Sequence, residues 1–258
     1  MGTLNLTEAL PLESDDEILT RISSKFNLMK KTIEGVARGF IPSVIISGPP
    51  GIGKTHPTLA KLNELDAHFM QIKGDVSAAG LYEALFNFKD EGVILIDDCD
   101  SIFGNEVALN LLKAALDSTA DRVICWQKQA AWLSNNDIPK SFLFNGSIIF
   151  LTNIDFEAMS KRNGRISPHI QALMSRCLYI SFGIKTRHEI ALHIENMILM
   201  HDLLVRSGVS ENFQCEIANF IVNNANKIRN LSLRTAILLS QLCASMPEDW
   251  KAVAQETF

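Results

Sequence analysis

The chain has 258 residues, 47% hydrophobic and 21% charged, the balance of an ordinary soluble globular protein able to bury a sizeable core. A net charge of -5 excludes a basic coat for nucleic acid over the whole surface, though not a local patch. No apolar run approaches the roughly 18–20 residues of a membrane span, and the acidic start MGTLNLTEALPLESDDE lacks a signal-peptide layout, so no membrane role and a cytoplasmic location are expected.

In chain order, SDDEILTRISSKFNLMKKTIEGVAR (14–38) begins with an acidic cap. It then repeats apolar residues at helical spacing through Ile18, Ile22, Phe26, Met29 and Ile33. Short β-rich runs follow at SVIIS (43–47), HFMQI (68–72), VILID (93–97), SIIFLT (147–152) and CLYISF (177–182). Helical patterns at 53–64, 79–88, 104–117 and 167–175 separate most of them. Buried strands alternating with helices predict a doubly wound parallel sheet covered on both faces. After Gly183 no strand-like run remains; helical patterns occupy 186–206, 211–227, 232–245 and 248–256. The expected organisation is an α/β core with a short helical lead-in over 1–183, then a small all-helical domain over 184–258. Five scattered cysteines without a CxxC pair fit buried reduced thiols better than disulfides or zinc.

SGPPGIGKT follows the first strand and opens a helix, and Gly48-Pro49-Pro50-Gly51-Ile52-Gly53-Lys54-Thr55 matches the complete G-x-x-x-x-G-K-[ST] pattern. Glycines allow positive φ and close approach of phosphate, and successive N–H groups with the helix N-terminus offer positive potential to an anion. Lys54 is expected to reach the β- and γ-phosphates of ATP and Thr55 to ligate Mg²⁺, with His56 completing the loop. Pro57 falls in the helix's first turns, where its missing N–H costs little. VILIDDCD ends a buried strand in carboxylates: Asp97 is the candidate metal-side residue and Asp98 the water-orienting one.

GPPGIGKT, ILIDDCDSIF and the helix NEVALNLLKAALD together resemble the AAA+ ATPase family, whose corresponding strand typically ends Asp-Glu. Here it ends Asp-Asp, which sets the catalytic carboxylate one methylene further back. The resemblance implies that Asn153, closing SIIFLTN, is sensor 1 near the γ-phosphate. It also implies that Arg176 of PHIQALMSRC, a stretch similar to clamp loaders, is an arginine finger acting on a neighbouring subunit; Arg165 in KRNGR is the second choice. Arg234 of NLSLRTA falls at sensor 2. A trans-acting arginine implies a homo-oligomeric ring, hexameric by analogy.

The substrate is less legible. With a short lead before the first strand, no separate recognition domain is expected, which suits remodelling of a protein or nucleoprotein complex. Leu81 and Tyr82 stand where related unfoldases place a pore loop, although helix packing is the better reading of Tyr82. RVICWQ in the insert before the sensor 1 strand has β character, and a hairpin there would bring Lys128 near a nucleic-acid backbone. Trp126 and Trp132 read as packing residues rather than base-stacking platforms. A DNA-replication helicase or loader and a nucleotide-gated assembly protein with negligible hydrolysis stand as alternatives.

Overall fold

The computed structural model describes residues 13–119, 121–127, 131–161 and 164–258. Lys128, expected near a nucleic-acid backbone, lies outside them.

Five strands form one parallel sheet: β1 (Ser43–Ser47), β2 (Phe69–Lys73), β3 (Val93–Asp97), β6 (Ser147–Thr152) and β7 (Leu178–Ser181), in the order β2-β3-β6-β1-β7. The three inner strands are buried at every residue, as continuous apolar runs covered on both faces must be. The edge strands β2 and β7 are only partly buried. The crossovers carry α2 (Thr55–Glu64) after β1, α3 (Ala78–Asn87) after β2 and α4 (Glu106–Ala115) after β3, with α6 (Phe156–Ser160) and α7 (Ser167–Met174) after β6. Ser77 caps α3 and Asn105 caps α4, each accepting backbone N–H groups of the first turn.

Between α4 and β6, β4 (Val123–Cys125) pairs antiparallel with β5 (Ser141–Leu143), so the β character of RVICWQ is a hairpin. The connection is long and holds α5 (Ala131–Asn135), whereas a tight turn would need only two to five residues. Ile124 and Phe142 face each other in register and are buried. Trp126, Trp132 and Phe142 pack edge-to-face around Tyr82 at 5.5, 6.1 and 5.1 Å. Tyr82 is fully buried and donates its hydroxyl to Pro139 O at 2.9 Å. Leu81 is equally buried, so neither residue is presented as a pore loop.

The chain divides into two compact units, one spanning Lys25–Ile184 and one combining Met1–Ser24 with Lys185–Phe258. The helix α1 (Asp15–Ala37) thus contributes its first residues to the helical unit and the remainder to the sheet unit. The helical unit contains α8 (Arg187–Leu199), α9 (Glu211–Asn223), α10 (Leu233–Ser245) and α11 (Trp250–Thr257) around a core that includes Ile194, Ile217, Ile221, Leu239 and Trp250. The single helix expected over 186–206 stops at Leu199. Asp202 then takes φ 54, a 3₁₀ turn spans Val205–Ser207 and Gly208 closes it at φ 71. A left-handed residue cannot continue a right-handed helix. Of the five cysteines, Cys99, Cys177 and Cys243 are buried, but Cys125 and Cys215 are exposed, against the expectation for all five.

Candidate nucleotide site

β1, β3 and β6 are adjacent in the sheet, and their carboxyl ends bring three separated sequence stretches together. The loop after β1 turns through Gly51 (φ 72) and Gly53 (φ 94), backbone that only glycine adopts without strain. Gly48 is needed for space: a Cβ there would lie 2.9 Å from Ile52 Cδ1 and 3.2 Å from Phe182 Cβ. Ile52 is buried and anchors the loop, whereas Pro50 and His56 are exposed and Pro49 is half-buried. No side chain caps α2; Pro57 has no N–H and Thr58 N donates to Lys54 O, so the first-turn amides open to an external anion are those of Thr55 and His56.

The Lys54 ammonium is buried and donates to Gly48 O at 2.7 Å, Pro49 O at 3.0 Å and Asn153 Oδ1 at 2.9 Å. Asn153 in turn donates its Nδ2 to Asp98 Oδ1 at 2.9 Å. A chain of contacts therefore runs from the phosphate-loop lysine through the end of β6 to the second carboxylate of β3. Thr55 Oγ1 donates to Asp97 Oδ1 at 3.0 Å, joining the two metal-side candidates. Asp97 is buried at 1% exposure and Asp98 is exposed. Asp98 sits at φ 53, a region that aspartate tolerates better than most residues, with its N–H bonded to Leu151 O at 3.1 Å.

Neighbouring contacts stiffen this edge. Ser47 Oγ donates to Ile154 O at 2.6 Å, and Thr152 Oγ1 donates to Asp100 Oδ1 at 2.6 Å. Cys99, inside the DDCD run, is not a reactive thiol: burial first, then the charges of Asp97, Asp75 and Asp100, push it up to about 11. The backbone amides at the start of α2 and the Lys54 ammonium are the donor chemistry that a triphosphate takes. The hydroxyl of Thr55 and the carboxylate of Asp97 are hard oxygen donors of the kind Mg²⁺ takes.

Arg176 and Arg165 belong to the sheet unit and Arg234 to the helical unit. Arg176, just past α7, donates Nη1 to its own helix end at Ala172 O (2.9 Å), while its Nε is buried without a partner. Arg165 is exposed and ion-paired with Glu106. Arg234 is exposed as the second residue of α10, in the helical unit.

Residues 44–129 match the model of the ATPase family associated with various cellular activities (AAA). The fold is similar to that of Thermotoga maritima RuvB, solved in a mutant form, with a TM-score of 0.55 at 18% identity over 96% of this chain and 73% of that one. It is also similar to Brucella abortus NtrX in complex with ADP, with a TM-score of 0.51 at 13% identity over 90% of this chain and 54% of that one. The chain belongs to the AAA+ family. It is 38% identical over 247 residues to an Enterobacteria phage T4 protein described as an uncharacterized 36.7 kDa protein of the nrdC-mobD intergenic region, covering 94% of this chain and 76% of that one. AAA+ ATPases bind ATP and commonly oligomerise, and among the described residues no helix is long and apolar enough to cross a membrane.

One contact of Asp97 escaped the sequence. Gln71 in β2 donates Nε2 to Asp97 Oδ2 at 2.9 Å. A lone glutamine in a short, half-exposed run carries no motif, and only the β2–β3 register reveals the contact.

Proposed function

We propose that the chain is an ATPase that works in the cytoplasm as a closed homo-oligomeric ring, hexameric by analogy, and couples Mg²⁺-ATP hydrolysis to remodelling of a protein or nucleoprotein complex. The observation that carries this reading is the contact chain Lys54–Asn153–Asp98 beside the pair Thr55–Asp97. It brings the lysine expected at the phosphates, the carboxylate expected at the metal and the two residues expected to orient water to the carboxyl ends of β1, β3 and β6. Residues Gly48 to His56, with Lys54 at their centre, hold the phosphates, while Thr55 and Asp97 hold Mg²⁺. Bound magnesium supplies charge neutralisation at the phosphoryl oxygens. Asp98, together with Asn153, orients the attacking water. Arg176 acts on the neighbouring subunit's site, where its guanidinium must leave Ala172 O, and Arg234 acts on its own. A head-to-tail interface that closes on itself meets the geometric demand of a trans-acting group.

The hairpin β4–β5 ahead of β6 favours a second reading, a DNA-replication helicase or loader. RuvB, similar in fold, is a Holliday junction branch migration motor. The short Asp98 side chain favours a third, a nucleotide-gated assembly protein with negligible turnover. Turnover measured alone, with single-stranded DNA and with an unfolded protein separates the three.

The ring mechanism is tested by mixing variants. Asp98→Asn is expected to lower turnover by about 10²–10⁴-fold, and Arg176→Ala by about 10³-fold or more. Mixtures should recover activity, because a mixed interface pairs an intact carboxylate with an intact arginine. Mixtures no more active than the separate variants, at every ratio, would exclude the trans role of Arg176.

A further inference from the structure

Asp97 closes β3 with its side chain almost fully out of solvent, yet each of its oxygens is held by a different element. Oδ1 accepts from Thr55 at the start of α2, and Oδ2 accepts from Gln71 in the middle of β2. Strands β2 and β3 are parallel, with Gln71 in register with Leu95 and Lys73 with Asp97. Residues two apart on a strand share a face, so Gln71, Lys73, Leu95 and Asp97 project to the same side. The residue directly opposite Asp97 is therefore a lysine, but the donor that reaches the carboxylate is the glutamine one pleat earlier. Among the described residues no ion pair joins Lys73 to Asp97.

We propose that Gln71 is a positioning residue for the metal-side carboxylate: it fixes the plane of Asp97 without cancelling its charge, and so sets the affinity for Mg²⁺ in the nucleotide complex. This rests on the Mg²⁺-nucleotide role proposed above. The terminal torsion of an aspartate is broad, and a single hydrogen bond would leave the carboxylate free to swing about it. One donor on each oxygen removes that freedom. The chemistry of the donor matters as much as its place. An ammonium at 2.9 Å would offset the carboxylate charge and compete with a divalent cation for the same oxygens. A neutral amide holds the group and leaves its full negative charge for the metal. Thr55 has a different task, because its hydroxyl oxygen is itself a metal-side donor, so Gln71 is the partner whose only role is orientation. Outer partners of metal-ligating groups tune affinity by about 10–100-fold.

The test is equilibrium binding of fluorescent ADP at a series of Mg²⁺ concentrations and in EDTA, for the wild type, Gln71→Ala, Gln71→Met and Gln71→Lys. Gln71 is solvent-exposed apart from its amide contact, and melting temperatures of the variants report any loss of fold. Gln71→Met retains length and apolar contact while removing the donor. Both Gln71→Ala and Gln71→Met are expected to raise the half-saturating Mg²⁺ concentration by about 10–100-fold, with affinity in EDTA unchanged. Gln71→Lys is expected to raise it at least as far, because a cation then faces Asp97. Overturning results are wild-type Mg²⁺ dependence in Gln71→Met, which would reduce the contact to packing, or equal loss of ADP affinity in EDTA, which would place the effect on the loop instead. Either leaves the nucleotide reading standing. A wild type that binds no ADP at any Mg²⁺ concentration overturns the nucleotide reading and this one with it.

Discussion

The sheet unit and the helical unit both bury polar side chains, but in different places and for different ends. In the sheet unit, Ser47, Lys54, Asp97 and Thr152 are buried where β1, β3 and β6 end, and they bond mainly across elements distant in sequence. In the helical unit the buried polar groups include Glu189 and Thr235, which sit in the first turns of α8 and α10 and satisfy backbone groups there. Glu189 accepts from the amides of Lys185 (2.6 Å) and Thr186 (2.8 Å), completes a capping box with Thr186 and pairs with Arg21 at 2.6 Å. Buried polarity at strand ends thus assembles chemistry, whereas at helix starts it closes the fold. An apolar core frames both.

Removing the centre of the helical core should expose that contrast most strongly. Trp250 is 1% exposed and lies 5.4 Å from Phe220, ring to ring. Trp250→Ala is expected to cost the helical unit about 3–5 kcal/mol. The two remaining tryptophans, Trp126 and Trp132, both belong to the sheet unit, so their fluorescence follows that unit alone. In a denaturant titration the far-ultraviolet signal should show an early loss of helix while the fluorescence midpoint holds. Equal shifts of both midpoints would break the distinction between two self-sufficient cores.

A smaller effect follows from Glu189. Burial alone would raise its pKa, but the Lys185 and Thr186 amides and the Arg21 guanidinium together outweigh burial and hold it below the ordinary 4.5. A carboxylate with a depressed folded pKa adds stability above its unfolded value and loses it as pH falls through the folded one. Glu189→Gln is therefore expected to lower stability by about 2 kcal/mol at neutral pH. The gap to wild type should close as pH falls from 4.5 through the lower folded pKa, below which both side chains are neutral. A gap that persists unchanged at acid pH would assign the loss to shape rather than charge.

Much of this architecture is legible in the amino-acid sequence. Runs such as SVIIS, VILID and SIIFLT read as inner strands because both of their faces are covered, and the structure returns them with the same ends. The glycine loop was readable because positive φ and phosphate contact restrict residue choice at Gly51 and Gly53. Three features needed the fold. The early stop of α8 depends on Asp202 taking a left-handed backbone, which composition does not dictate. The aromatic cluster around Tyr82 gathers residues from α3, the hairpin and α5, far apart in the chain. Gln71 acquires its partner only through the register of an edge strand against β3, a relation with no local sequence signature.

The most direct check of the central claim is calorimetric titration of ADP with Mg²⁺ into wild type and Lys54→Ala. Saturable binding is expected for the wild type, with affinity reduced by about 100-fold or more in the variant, the equivalent of losing roughly 3 kcal/mol of charge-assisted contact. No heat of binding in the wild type, or equal affinity in the two proteins, would contradict the assignment of this loop as the nucleotide cradle.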